Sequence, residues 1–457
     1  MKMARAAAIV LALLTFLGCS KESDSLKIGA VLSVTGPASF LGEPEKNTLL
    51  LLQDELNAKG GVEGRKLELV IYDDESDVNK SVMAAKKLIE QDHVAVVLGP
   101  SISGNTLAIS KFFAPAKIPL VSCAAAEKIV KPVDPWVFNT PQLDRHAVGK
   151  ILADAKKKGY TKLAILTVSD GFGQSGRAVL EDLIPAKGLT LVADEVFGPK
   201  DTDMSAQLTK IKGAAPDAII CWGTNPGPAV VARNRAQLGI TTPLYMSHGV
   251  ASKKFIELAG ESAEGIILPA GRLTAVAQVP DGNPQKALLT KYVADYAKKY
   301  GNPPSTFGGH AYDALMLVVE AVKMGKSAKS QDIRENLEKI TNLPGTAGVY
   351  TMTPENHNGL NEDAFLMVTI EKGDWKVIDS GLFLKASFAP WTLPGHQGEP
   401  ISVQGCTVRV HPLAPKRLSP RQGTKSIIWK QTLAGREKSG RLAAETGRAL
   451  TARVKYG

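Results

Sequence analysis

Cysteine is nearly absent from this chain: four among 457 residues, at positions 19, 123, 221 and 406. Spacing that wide excludes a zinc site built on paired cysteines, whose ligands stand a few residues apart. Aromatic residues make up only 6%. No apolar run approaches the roughly 20 residues that a membrane-spanning helix needs; the run Ala6–Leu17 stops after twelve. Catalytic signatures are missing as well. The stretch GPSISG (99–104) only approaches a Gly-x-Ser-x-Gly nucleophile elbow, and no Gly-rich phosphate loop of the P-loop form occurs. His310 and Asp313 share a helix face at i, i+3 without a third metal ligand, a pattern expected of a helix contacting a sheet. Neither an enzyme nor a cofactor is expected. The body also lacks a charge imbalance. Of the net +10, all belongs to residues 381–457, which hold 13 Lys/Arg and 3 Asp/Glu; residues 1–380 hold 42 of each sign. No nucleic-acid footprint is present there.

What is there begins with an export signal. Lys2 and Arg5 precede the twelve-residue apolar run, the right length for a signal-peptide core. Gly18-Cys19 and a polar stretch follow. This resembles a bacterial lipoprotein signal over residues 1–18, with Cys19 as the lipidated first residue of the mature chain. Phe16 departs from the usual Leu, and ordinary secretory cleavage is the alternative. The protein is expected in the periplasm or at the cell surface, lipid-anchored to a membrane. Cys123 and Cys221 are expected to be free thiols, since both end strands in what read as opposite lobes.

From Lys27 onward, strand, loop and helix alternate. Short Val/Ile/Leu runs stand at 27–35, 66–74, 93–100, 118–125, 162–170, 189–197, 217–223, 243–247 and 264–271, each ending in a turn residue. Such runs suit parallel strands buried on both faces. Helical patterns between them, such as EKNTLLLLQDELNAKG (45–60), make the chain α/β. Further helices are predicted at 284–300, 309–325 and 329–340, and antiparallel strands at 365–379. So many units exceed one sheet. Breaks at 138–144, 267–272 and 343–353 predict two doubly wound lobes joined by three strands. Lobe I takes 26–141 and 272–345; lobe II takes 142–271 and 346–379. Open α/β sheets hold ligands beyond the carboxyl ends of their strands, so two facing sheets enclose a cleft. Residues 380–457 read as a basic tail of little structure, with binding to anionic surface polymers as the sharper alternative.

LKIGAVLSVTGPASFLGE, ELNAKGGVEGRKLELVIYDDESD and AVVLGPSISGNT resemble the leucine/isoleucine/valine-binding proteins, type I periplasmic solute-binding proteins of ABC importers. NTPQLDRHAVG, TVSDGFGQSGR and LAGESAEGIILP extend the likeness over roughly 26–379. The resemblance implies a receptor that closes on a small solute and presents it to a membrane permease; a sensor lipoprotein that signals is the alternative. It places Ser103 on the ligand carboxylate, where a plain helix cap is the competing role. Ala124, Ala125 and Ala126 fall in a loop that offers backbone groups, with Ala126 where a Thr is common. Phe172 stands where relatives carry Tyr. Trp222 and Thr224 match a strand end that often supplies an aromatic, and Phe40 and Leu41 match a lid loop.

His248 is the largest departure. Branched-chain binders commonly carry an acid here, pairing with the ligand ammonium. A histidine is neutral or cationic near neutral pH and cannot replace it; it can complement a carboxylate, or donate to a carbonyl or hydroxyl. The favoured ligand is therefore a small, largely apolar carboxylate, such as a branched or aromatic acid. The alternative keeps an amino acid, with His248 capping the 252–259 helix and Asp170 meeting the ammonium.

Overall fold

The computed structural model describes residues 25–378, and all nine apolar runs read as strands are strands. The lipidation site Cys19, the signal segment, Cys406 and the basic tail lie outside the described residues. The first sheet contains β1 (Ser25–Leu32), β2 (Lys66–Asp73), β3 (Val96–Leu98), β4 (Leu120–Ser122) and β5 (Val137–Asn139), in the order β2-β1-β3-β4-β5, all parallel. In β1, Leu26, Ile28, Ala30, Val31 and Leu32 are all fully buried, so both of its faces are covered.

The covering helices are α1 (Ser39–Ala58), α2 (Val78–Glu90), α3 (Ser103–Ile109) and the short α4 (Phe113–Ala116). A second sheet runs β14-β13-β10-β9-β8-β6-β7. Its parallel members are β6 (Lys162–Val168), β7 (Thr190–Phe197), β8 (Ala218–Trp222), β9 (Leu244–Met246) and β10 (Ile267–Gly271). The hairpin β13 (Phe365–Glu371) and β14 (Asp374–Val377) joins it antiparallel. Helices α5 (Asp144–Lys157), α6 (Gly171–Ala186), α7 (Ser205–Gly213), α8 (Gly227–Gln237) and α9 (Lys253–Ala259) flank it.

The chain then returns to the first lobe with α10 (Lys286–Tyr300), α11 (Thr306–Gly325) and α12 (Ser330–Leu337). Leu315, Val318, Val319 and Val322 of α11 pack in one core with Leu26, Ile28 and Leu98 of the first sheet. The chain thus passes between lobes three times, after β5, after β10 and before β13. The third passage falls later than the sequence places it. The ribbon β11 (Leu343–Pro344) and β12 (Val349–Tyr350) still belongs to the first lobe, because Ala347, Tyr350, Met352 and Leu360 sit in that same core.

Hydrogen bonds stitch the passages together. Gln142 Nε2 donates to Ala347 O (2.8 Å), Asn358 Nδ2 to Pro141 O (2.7 Å) and Tyr350 Oη to Thr140 O (2.7 Å). Asp313, expected only to face a sheet, instead accepts from Thr346 N, Thr346 Oγ1, Ala347 N and Tyr350 Oη, and so pins the β11–β12 ribbon to α11. Cys123 and Cys221 are free, buried thiols in the cores of different sheets.

Candidate functional site

A cavity of about 450 Å³ lies where the carboxyl ends of the two sheets face each other. In the first sheet β1 is flanked by β2 and β3, and in the second β6 is flanked by β7 and β8. Successive connections therefore leave β1 and β6 toward opposite sides, which opens a crevice at each strand's end. The cavity joins these two crevices.

The first-lobe wall is set by the turn after β3. Gly99 has φ +84°, and a Cβ on it would fall 2.2 Å from Val31 O, so only glycine lets the chain turn here beside β1. A buried polar network then holds the loop. Asp74 accepts from Ser33 Oγ (2.7 Å), Ser81 Oγ (2.6 Å) and Asn105 Nδ2 (2.9 Å), while Ser101 Oγ donates to Glu45 and accepts from Ser33 N (3.1 Å). Burial pushes the Glu45 carboxyl well above its usual range. Ser103 opens α3 as its first residue and makes no cap bond, which removes the plain-cap role. It lines the cavity, and its Oγ accepts from Ala126 N (3.4 Å), leaving the hydroxyl hydrogen to donate. Leu41, Ala124 and Ala125 also line the cavity. Ala126 does not; it is fully buried behind the wall.

The second-lobe wall carries Phe172, Thr224 and His248. Trp222 does not reach the cavity. It is fully buried behind Phe172 (ring centroids 5.8 Å) and His248 (5.7 Å), and a Cβ on Gly176 of α6 would strike its indole at 2.1 Å. His248 starts a 3-10 turn and caps no helix; the residue at the head of α9 is Ser252. Its ring sits edge-on to Phe172 (5.5 Å), Trp222 and Phe365 (5.3 Å), and both ring nitrogens are buried without partners. Burial, with His310 and His146 adding to it, pushes its pKa down to about 3. Burial thus disfavours a cationic His248, whose ring nitrogens find no partner among the described residues.

Several lining residues carried no signal in the sequence. Phe307 and His310 come from α11, Asn225 and Pro226 from the end of β8, and the exposed Lys200 from the loop after β7. Proximity in the fold is what assembles them. The sequence marks His310 only by its helical spacing to Asp313. Asp170 lines the cavity while capping α6: its Oδ1 accepts from Phe172 N (3.0 Å) and Gly173 N (2.9 Å), and burial raises its pKa.

The lobes meet over this space. Thr306 Oγ1 donates to Ala251 O (2.8 Å), and Glu127 N donates to Ser175 Oγ (3.2 Å). Glu127 also pairs with Arg145 (3.2 Å), which bonds Asp182 (3.0 Å). At the heads of α3 and α6 the backbones of Gly104 and Gly171 come together. A mostly apolar cleft of this volume, walled by two bodies that also touch each other, is arranged for enclosure of a small molecule.

Comparison with known proteins agrees with that arrangement. The family described as periplasmic binding protein matches residues 25–374. The leucine-, isoleucine-, valine-, threonine- and alanine-binding protein of Pseudomonas aeruginosa is 25% identical over 335 residues, covering 72% of this chain and 87% of that one. An extracellular ligand-binding receptor from Rhodopseudomonas palustris HaA2 superposes with a TM-score of 0.73 at 29% identity, covering 77% of this chain and 99% of the other. A branched-chain amino acid transporter substrate-binding protein of Streptococcus pneumoniae, solved with isoleucine, gives 0.68 at 27% identity over 78% of this chain and 99% of that chain.

Proposed function

The chain belongs to the periplasmic binding protein family, and from that premise we propose that it captures a small apolar carboxylate between its lobes and delivers it to the permease of an ABC importer. In this reading the protein works outside the cytoplasm, held to a membrane through lipid on Cys19. The observation that carries the proposal is the mostly apolar cavity between the two sheets with Ser103 on its wall holding an unused hydroxyl hydrogen. Ser103 and the backbone of the Ala124–Ala125 loop orient the carboxylate. Phe172, Leu41, Thr224 and the carbon edge of His248 enclose the body, with Trp222 and Ala126 supporting from behind. Micromolar affinity corresponds to about −8 kcal/mol, most of it from burying the apolar body. The ligand closes the lobes because it contacts both.

Relatives named for branched-chain amino acids suggest a second reading, an amino acid, and Asp170 is the observation in its favour: it lines the cavity with Oδ1 engaged by two backbone amides. Against that, His248 is neutral and its nitrogens are covered, so no anion stands at that position. Calorimetry decides between the two. We expect 4-methylpentanoate, which is leucine's skeleton without the ammonium, or benzoate to bind, and leucine and valine to bind weakly. Tight leucine binding with no heat from either acid would overturn the carboxylate reading. Loss of uptake on deleting the cognate permease separates import from signalling.

A further inference from the structure

Carboxylate capture at Ser103 leaves several polar side chains on the cavity wall unused, His310 among them. His310 lines the cavity and is only 7% exposed. Its backbone carbonyl accepts from Thr140 Oγ1 (3.0 Å), which fixes this turn of α11 against the first chain passage, and its ring leans toward Phe307 (6.4 Å between centroids). The ring's own polar atoms are unsatisfied. Nδ1 is buried without a partner, and Nε2 makes no hydrogen bond or ion pair among the described residues. Burial lowers the imidazole's pKa to about 3, which favours the neutral ring. A neutral ring has one proton for two nitrogens. Protein interiors tolerate an under-used acceptor more readily than an orphaned N–H. The proton therefore belongs on Nε2, with the Nδ1 lone pair in the buried position. Asn225, on the opposite lobe's wall, adds a second unsatisfied group: both of its amide atoms are buried without partners.

We propose that His310 determines specificity at a second polar subsite, where its Nε2–H donates to an uncharged acceptor oxygen carried on the apolar body of the ligand. This rests on the proposed capture of a carboxylate at Ser103, and it narrows the ligand class to apolar acids bearing a hydroxyl, methoxy or carbonyl oxygen. A cavity of about 450 Å³ leaves room for an apolar body between two polar ends. A ligand of the same shape without the oxygen closes the lobes over an unpaired N–H. Such a ligand binds roughly ten- to a hundredfold more weakly.

Calorimetry on the full chain tests this with matched pairs: 4-methoxybenzoate against 4-ethylbenzoate, 3- and 4-hydroxybenzoate against the methylbenzoates, and 4-oxopentanoate against 4-methylpentanoate. At least one pair should favour the oxygenated acid by roughly ten- to a hundredfold. His310→Phe should bring that ratio toward one, and His310→Gln, which keeps an N–H donor, should restore part of it. Equal affinities in every pair, or a preference that survives His310→Phe, overturn the proposal while the carboxylate reading stands. Leucine binding with no acid bound overturns both. Should His310→Phe not fold, the wild-type ratios and His310→Gln decide.

Discussion

Replacing Gly171 by alanine should separate closure from folding. Gly171 is the first residue of α6, and a Cβ there would lie 3.0 Å from Gly104 N and 3.1 Å from Gly104 Cα, across the gap between lobes. Carbon contacts are comfortable at about 3.5–4.0 Å, so the added methyl makes the two helix heads give by a few tenths of an ångström. Overpacking of this kind costs about 1–3 kcal/mol. The cost falls on the closed state alone, since opening removes Gly104 from reach. Apparent affinity therefore drops by the factor lost from the closed population, roughly 5- to 150-fold. Within α6 alanine is the better helix former by up to about 1 kcal/mol, so the lobe itself is not weakened. Calorimetry with a bound acid, paired with thermal unfolding of the unliganded protein, reads both effects, and Gly171→Val should extend the loss. Affinity within threefold of wild type, or a melting temperature that falls alongside affinity, would refute this reasoning.

Two further predictions concern buried acids. Burial pushes Asp144 up to about 8 although Ser175 Oγ (2.5 Å) and Glu127 N (3.4 Å) donate to it. The native state thus keeps a proton that the unfolded chain releases near pH 4, and the stability this supports is complete below pH ~4 and lost as pH rises through about 8. The stability of Asp144→Asn relative to wild type should therefore grow between pH 5 and 8, by up to about 1.4 kcal/mol per unit in urea unfolding; a difference that does not change with pH would refute it. Asp313→Ala removes the acceptor for two backbone amides, Thr346 Oγ1 and Tyr350 Oη. It should cost roughly 3–5 kcal/mol, and an unchanged urea midpoint would defeat the claim that Asp313 anchors the β11–β12 ribbon.

The nine strand positions, the parallel α/β class and the paired lobes were legible in the chain, because strands buried on both faces must be short apolar runs ended by turn residues, whatever they enclose. Ser103, Leu41, Phe172, Thr224 and His248, which the family resemblance placed at the cleft, line the cavity. The strand Val137–Asn139 was not legible, because its two apolar residues run straight into the polar break Asn139–Thr140–Pro141. Nor was the true position of the third passage, which depends on Tyr350 and Leu360 finding the first-sheet core. Trp222 shows the same limit: its place at a strand end matched a lining role, but Gly176 admits the indole from behind and buries it. His310, Asn225 and Phe307 entered the wall from distant segments. Pattern along the chain determined the alternation of strands and helices and so the parallel α/β class, since a strand buried on both faces is a local apolar run. Which polar atoms stand unsatisfied around the cavity, and that His248 is a neutral member of an aromatic box, only the tertiary structure decided, because burial and partnership are set by neighbours far away in sequence.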